Sequence, residues 1–131
     1  MKIGKYYEEH GGIYAGMLRG EPGCLDYHIF HAGAEHEIIS ADWKTACEKA
    51  KLPVNGFTDW SLPDRSEARL LSINSPDSFD QSEWYWTSTQ DAGSSDYAWL
   101  QDFSDVSQEN DHKLTEYRAR AVRKVYIGVE E

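Results

Sequence analysis

The sequence predicts an α+β fold with two helices and small, irregular antiparallel sheets. Three observations lead there. Aromatic residues make up 13 % of the chain, with five Trp and eight Tyr, a composition that suits sheets better than helix bundles. Only two segments carry helical spacing. The other apolar residues fall in short alternating runs bounded by turn residues. With 131 residues, residues 1–131 read as one domain, able to bury roughly two thirds of its unfolded surface.

Residues 1–11 are polar and are expected to be loosely ordered. Gly12 to Arg19 reads as a strand, residues 20–23 with Pro22 as a turn, and Leu25 to His31 as a second strand. Residues 12–31 would then form an N-terminal hairpin. His36 to Ile39 is a short third candidate. Ser40 is placed to cap a helix from Ala41 to about Lys51, with Trp43, Ala46, Cys47 and Ala50 in one apolar stripe at i, i+3, i+4 and i+7. Pro53 ends it.

Asn55-Gly56 signals a turn, and Trp60 to Pro63 an extended entry to the second helix. Asp64 with Glu67 three residues later has the spacing of a capping box. Ala68, Leu71 and Leu70 form the expected buried side, and Asn74 to Pro76 the stop. Trp84 to Ser88 and Tyr97 to Phe103 read as strands, Ser104 to Lys113 as a polar loop, and Arg118 to Ile127 as a final strand with Ala119, Ala121, Val125 and Ile127 on one face. Trp84 and Trp86 share one strand face and Tyr85 the other, one of the two facing the core.

The net charge of −10, from 13 Lys+Arg against 23 Asp+Glu, argues against direct nucleic-acid binding or attraction to an anionic membrane. Charge is also partitioned. Ser72 to His112 carries nine carboxylates and no Lys or Arg, whereas Lys113 to Lys124 carries five basic residues and one acid, Glu116. Strands of opposite charge are expected to attract across a ladder. Met1 to Ile13 contains no apolar core of a signal peptide, and no stretch approaches the ~18 apolar residues of a membrane helix. The expected location is the cytoplasm, or a virion should the protein be built into one.

Catalytic signatures are missing. No nucleophile motif, phosphate loop or HExxH zinc motif appears. His28, His31, Glu35, His36 and Glu37 are the nearest thing to a metal cluster, but His28 and His31 point to opposite strand faces. Asp102, Asp105, Glu109, Asn110 and Asp111 offer hard oxygens for calcium without EF-hand spacing. No metal, no other cofactor and no enzymatic activity are expected. Cys24 and Cys47 are too few for a disulfide framework and are read as thiols.

The ordered set Trp43-x-x-Ala46-Cys47, Gly56-Phe57-Thr58-Asp59-Trp60-Ser61-Leu62-Pro63, Glu67 with Leu70-Leu71, Trp84-Tyr85-Trp86-Thr87-Ser88-Thr89, Tyr97-Ala98-Trp99 with Phe103, and Arg118 to Arg123 resembles the Lcl C-terminal domain family. The likeness is strongest over residues 40–124. It implies a C-type-lectin-like fold related to the formylglycine-generating-enzyme domain. The opening from Gly11 to His28 departs from the usual family start and is similar to versions carried by phages and prophages. Many members carry a last-strand cysteine that could bridge to the helix cysteine. Ala119 and Ala121 stand near that position here, which implies a reducing compartment. The Glu-Pro-Asn and Trp-Asn-Asp signatures of sugar-binding relatives are absent. The reactive cysteine pair of the formylglycine-generating enzymes has no counterpart.

Two functional readings follow. The first is a non-catalytic recognition domain that binds a protein or a glycan through its acidic, aromatic-containing loops, with Asp91, Asp96, Tyr97, Trp99, Asp102 and Asp105 at or beside the contact. A merely solvated acidic surface with Trp99 in the core is the alternative account of those residues. The second is an intracellular inhibitor that sets its acidic face against a host nucleic-acid-binding or defence protein. The expected core comprises Trp43, Cys47, Trp60, Leu62, Leu71, Trp86 and Val122. Asp59 is expected to satisfy loop amides, and Arg65 and Arg69 to pair with carboxylates.

Overall fold

A computed structural model describes residues 1–128. The α+β class and the two helices are as expected. The strands are β1 (Tyr6–Tyr7), β2 (Gly12–Leu18), β3 (Tyr27–His31), β4 (Ile38–Ala41), β5 (Trp84–Gln90), β6 (Tyr97–Asp102), β7 (Gln108–His112), β8 (Tyr117–Ala119) and β9 (Val122–Tyr126). Helix α1 spans Trp43–Lys49 and α2 spans Arg65–Asn74. One sheet has the order β1-β2-β3-β9 and the other β4-β8-β5-β6-β7. All pairings are antiparallel except a single parallel bridge, Tyr85 with Arg118, between β5 and β8.

The N-terminal hairpin of β2 and β3 forms as predicted. It carries a bulge between Tyr14 and Gly16, and Gly16 has φ 127°. A Cβ there would lie 2.8 Å from Asn74 Nδ2, which donates to Ala15 O. The bulge thus ties β2 to the end of α2. Residues 1–11 are not loose: β1 pairs with β2, and Tyr7 packs edge-on against Tyr14 and Phe30.

Helix α2 starts with both halves of the capping box. Asp64 accepts from Glu67 N at 2.8 Å, and Glu67 accepts from Asp64 N at 2.9 Å. Helix α1 is capped by Asp42, not Ser40; Asp42 accepts from Thr45 N at 2.9 Å. Ser40 lies inside β4, where the backbone is still extended, and its hydroxyl donates to Glu116. The helix therefore begins two residues later than the sequence suggests. Ala46 and Ala50 are buried, but Trp43 and Cys47 are only half-buried. At the first helical position, Trp43 donates its indole N–H to Thr87 O, and Lys113 Nζ lies 4.3 Å from its ring. Trp60, Leu62, Leu71, Trp86 and Val122 are buried as expected.

Both faces of β5 are in the core. Trp86 packs with Ala46, Ala98 and Leu100 on the α1 side, while Tyr85 packs with Leu71, Phe79 and Phe103 on the α2 side. A central strand covered by a helix on each face has no solvent side. The segment expected as a polar loop, 104–113, contains β7, because its polar residues face solvent along a sheet edge that needs no apolar alternation.

The expected final strand divides in two. Residues 117–119 pair with β4 and β5, then the chain crosses to the other sheet and 122–126 pair with β3. Ala119 and Val125 therefore belong to different sheets. Arg120 sits at the crossing, buried, and donates to Glu37 Oε1, Ala32 O and Ser78 O. Glu37 Oε2 accepts from Arg118 Nη1 at 2.9 Å and from Tyr85 Oη at 2.8 Å. This cluster joins four separate stretches of chain. Removing Glu37 leaves two guanidinium groups short of an acceptor, one of them buried. Glu37→Ala is expected to destabilise the fold by about 3–5 kcal/mol, and Trp60→Ala by a similar ~3–5 kcal/mol. Trp43→Ala should cost less than Trp60→Ala. Urea unfolding followed by circular dichroism tests all three.

Candidate binding surface

The β5–β6 and β6–β7 hairpins carry the six residues singled out in the sequence. At the β5–β6 turn, Asp91 N donates to Tyr97 O at 2.9 Å, and the Asp91 carboxylate accepts from Asn110 Nδ2 at 3.0 Å. Asp96 is exposed, and its carbonyl accepts from Lys113 N. Tyr97 is 37 % exposed and meets His112 edge-on. In the β6–β7 turn, Asp102 accepts from the amide and hydroxyl of Ser104 at 2.7 and 2.8 Å. Asp105 accepts from Ser107 N at 3.0 Å, and its hydrogen bonds from Ser107 hold its carboxyl below the ordinary range. The following Val106 sits at φ 69°.

These residues form two groups. Asp91, Asp96 and Tyr97 lie at the start of β6, and Asp102 and Asp105 at its end, roughly 17 Å away at strand rise. Between them, Trp99 is half-buried, with the Arg65 guanidinium carbon 3.6 Å from its ring centroid. Trp99 thus stands between the two sequence-based accounts, neither an exposed anchor nor a fully buried core residue.

The charge ladder expected between the acidic segment and the basic end of the chain is largely absent. Arg120 pairs with Glu37, Arg123 with Asp59 at 2.8 Å, and Lys124 with Glu67 at 3.2 Å. Asp59 therefore serves Arg123 and not loop amides. Among the described residues, only Arg118 forms ion pairs with carboxylates of the acidic segment, 3.5 Å from Asp80 and 3.9 Å from Glu83. Among the described residues no ion pair involves Asp91, Asp96, Asp102, Asp105, Glu109 or Asp111. Asp111 accepts from Tyr117 Oη. Burial, then that carboxylate, pushes the Tyr117 hydroxyl up to about 12.

The histidines and acids near residue 30 scatter. His28 Nδ1 meets Tyr14 Oη at 2.7 Å, His31 is buried, and Glu37 belongs to the arginine cluster. Among the described residues, no three His, Cys, Asp or Glu side chains stand close enough to hold a metal ion. Cys24 is exposed and Cys47 half-buried, both free. Burial pushes the Cys47 thiol up, away from the reactive thiolate. Among the described residues, no helix is long and apolar enough to cross a membrane.

Sequence reasoning missed the surroundings of Arg65. Instead of a carboxylate, it donates from Nε to Gln108 Oε1 at 2.9 Å. Gln108 lies in the stretch read as a loop, so its approach to α2 had no local signal. Arg65 and Arg69 also line an open groove of about 600 Å³ on the outer side of α2.

A two-sheet α+β scaffold that holds polar hairpin loops on packed strands defines a small domain suited to binding. The chain belongs to the Lcl C-terminal domain family, whose model matches residues 25–123. The match takes in everything from the start of the β3 region to the first half of β9, leaving β1 and β2 outside. A search of curated proteins finds no match.

His31 is a buried titratable group. His31 Nδ1 lies 2.8 Å from Ala32 O, so it carries the proton in the neutral ring, and Nε2 has no partner among the described residues. Burial lowers its pKa from 6.5 to about 4. The unfolded chain therefore binds the proton first as pH falls, and stability declines between about pH 6.5 and pH 4. The full loss attributable to His31 is roughly 3 kcal/mol. Urea midpoints at pH 7 and pH 4.5 should fall further apart in the natural protein than in His31→Phe, which cannot titrate there.

Proposed function

We propose that this is a non-catalytic recognition domain that binds a protein or a glycan through the surface of β5, β6, β7 and their turns. The observation that carries the reading is the run of carboxylates from Asp91 to Asp111, which the protein's own cations leave without ion pairs. Such a field attracts a basic partner and sets its orientation. Asp96, Tyr97, Asp105 and Glu109 are exposed, and Asp102 and Asp105 also hold their own turn together and contribute mainly charge.

The same field supports a second reading, an intracellular inhibitor that covers the basic, nucleic-acid-binding surface of a host protein. The free thiols fit a reducing cytoplasm. A phage or prophage source is consistent with both readings and rests on the departure of the N-terminal segment from the usual family start.

Asp96 and Glu109 make no side-chain hydrogen bond among the described residues, so both can be reversed without breaking a turn. Asp96→Lys with Glu109→Lys is expected to keep the urea midpoint and to weaken binding to a partner crosslinked to the natural protein. Raised salt should weaken the natural complex in the same direction. A glycan array distinguishes a sugar partner. Unchanged affinity in the double variant would place the contact elsewhere.

A further inference from the structure

On a chain of net charge −10, the outer side of α2 is of opposite character. Its groove is lined by Leu18, Leu70 and Ile73 together with Arg65 and Arg69. Ile73 is 57 % exposed, and Arg69 is exposed one turn beyond Arg65.

Arg65 is held from several directions without a carboxylate. Its guanidinium stacks on Trp99, and its Nε donates to Gln108 Oε1. Gln108 is itself fixed, donating to Arg65 O at 2.9 Å and to Gln101 Oε1 at 2.7 Å. Arg65 N donates to Thr89 Oγ1 at 3.1 Å. Among the described residues, Nη1 and Nη2 make no hydrogen bond and no ion pair. The entropy of immobilising this long side chain is spent on folding, which leaves a preorganised fork of donors at the groove.

We propose that this groove docks a short acidic and apolar peptide segment of a protein partner, with Arg65 receiving a carboxylate. The planar fork suits bidentate carboxylate contact. Leu18, Leu70 and Ile73 supply the burial that a single exposed ion pair cannot. The negative field of the whole chain repels a polyanion at long range, so the partner that fits carries one or two carboxylates beside bulky apolar side chains. This surface borders the β6–β7 ribbon through Trp99 and Gln108 but is opposite in charge, and Asp96→Lys with Glu109→Lys leaves Arg65, Arg69 and Ile73 in place, so either reading can fail alone.

The test uses the full chain labelled with nitrogen-15. It is titrated with a pool of N-acetylated, C-amidated hexapeptides, each with one central Asp or Glu flanked by Leu, Ile, Val or Phe. A second pool carries Asn or Gln at the centre. The acidic pool is expected to shift the Arg65 Nε–H, Trp99 indole N–H and Ile73 amide resonances and to bind roughly ten-fold tighter than the amide pool. Arg69→Gln and Ile73→Ser alter exposed side chains, and both should weaken binding several-fold with the urea midpoint unchanged. Arg65→Lys, which keeps the charge and loses the fork, should weaken it as well. Equal binding of the two pools, shifts confined to other surfaces, or full affinity in Arg69→Gln and Ile73→Ser would overturn the proposal.

Discussion

The crossing of the chain from one sheet to the other at Arg120 is the constraint on which the architecture depends. A buried guanidinium and carboxylate lose several kcal/mol of hydration each unless their hydrogen-bonding groups find partners. Here they do. Glu37 receives two arginines and the Tyr85 hydroxyl, and Arg120 also reaches two backbone carbonyls and stacks over Phe79. The partners come from the segment before β4, from the short turn before β5, from β5 itself and from β8. The cluster can form only when those segments are together, so it specifies the fold more than it adds net stability.

The same device recurs twice on β9. Arg123 reaches Asp59 and His10 O and lies over Phe57, fastening the N-terminal segment and the loop before α2. Lys124 meets Glu67, which also accepts from Tyr27 Oη at 2.6 Å while it completes the helix cap. These cations are committed to acids that precede the acidic segment. The acidic surface of the second half is a consequence of that internal pairing. The charge available for recognition is what the framework leaves uncompensated.

The β6–β7 ribbon then connects framework and surface. Ala98 and Leu100 face the α1 core, while Trp99 and Gln101 face α2. On that side the covering is polar: Gln101 donates to Ser107 O and Asp102 O, and Gln108 bridges it to Arg65. A polar network beneath the N-terminal end of a helix holds the loops at a set distance from it. It also leaves one arginine fork facing outward.

Where a feature depended on neighbouring residues, it was legible in the sequence. The capping box of Asp64 and Glu67, the β2–β3 hairpin, the buried Trp60, Leu62, Leu71 and Trp86, and the family resemblance all rest on short-range spacing. The α1 stripe was right in phase, yet half-buried at Trp43 and Cys47, because Asp42 outcompeted Ser40 for the cap once β4 kept Ser40 extended. β7 escaped notice because an edge strand with polar residues has no alternation to detect. The division of 117–126 between two sheets was equally silent, since both halves alternate in the same way. Of the candidate site, residue types and charge were readable from the sequence. So was their separation to two ends of β6, because residues 97–103 read as a single strand. The stacking of Arg65 on Trp99 and the pairing of each cation with a distant acid were decided by tertiary structure. Each of those depends on contacts between groups tens of residues apart, and local spacing carries no information about which distant groups will meet.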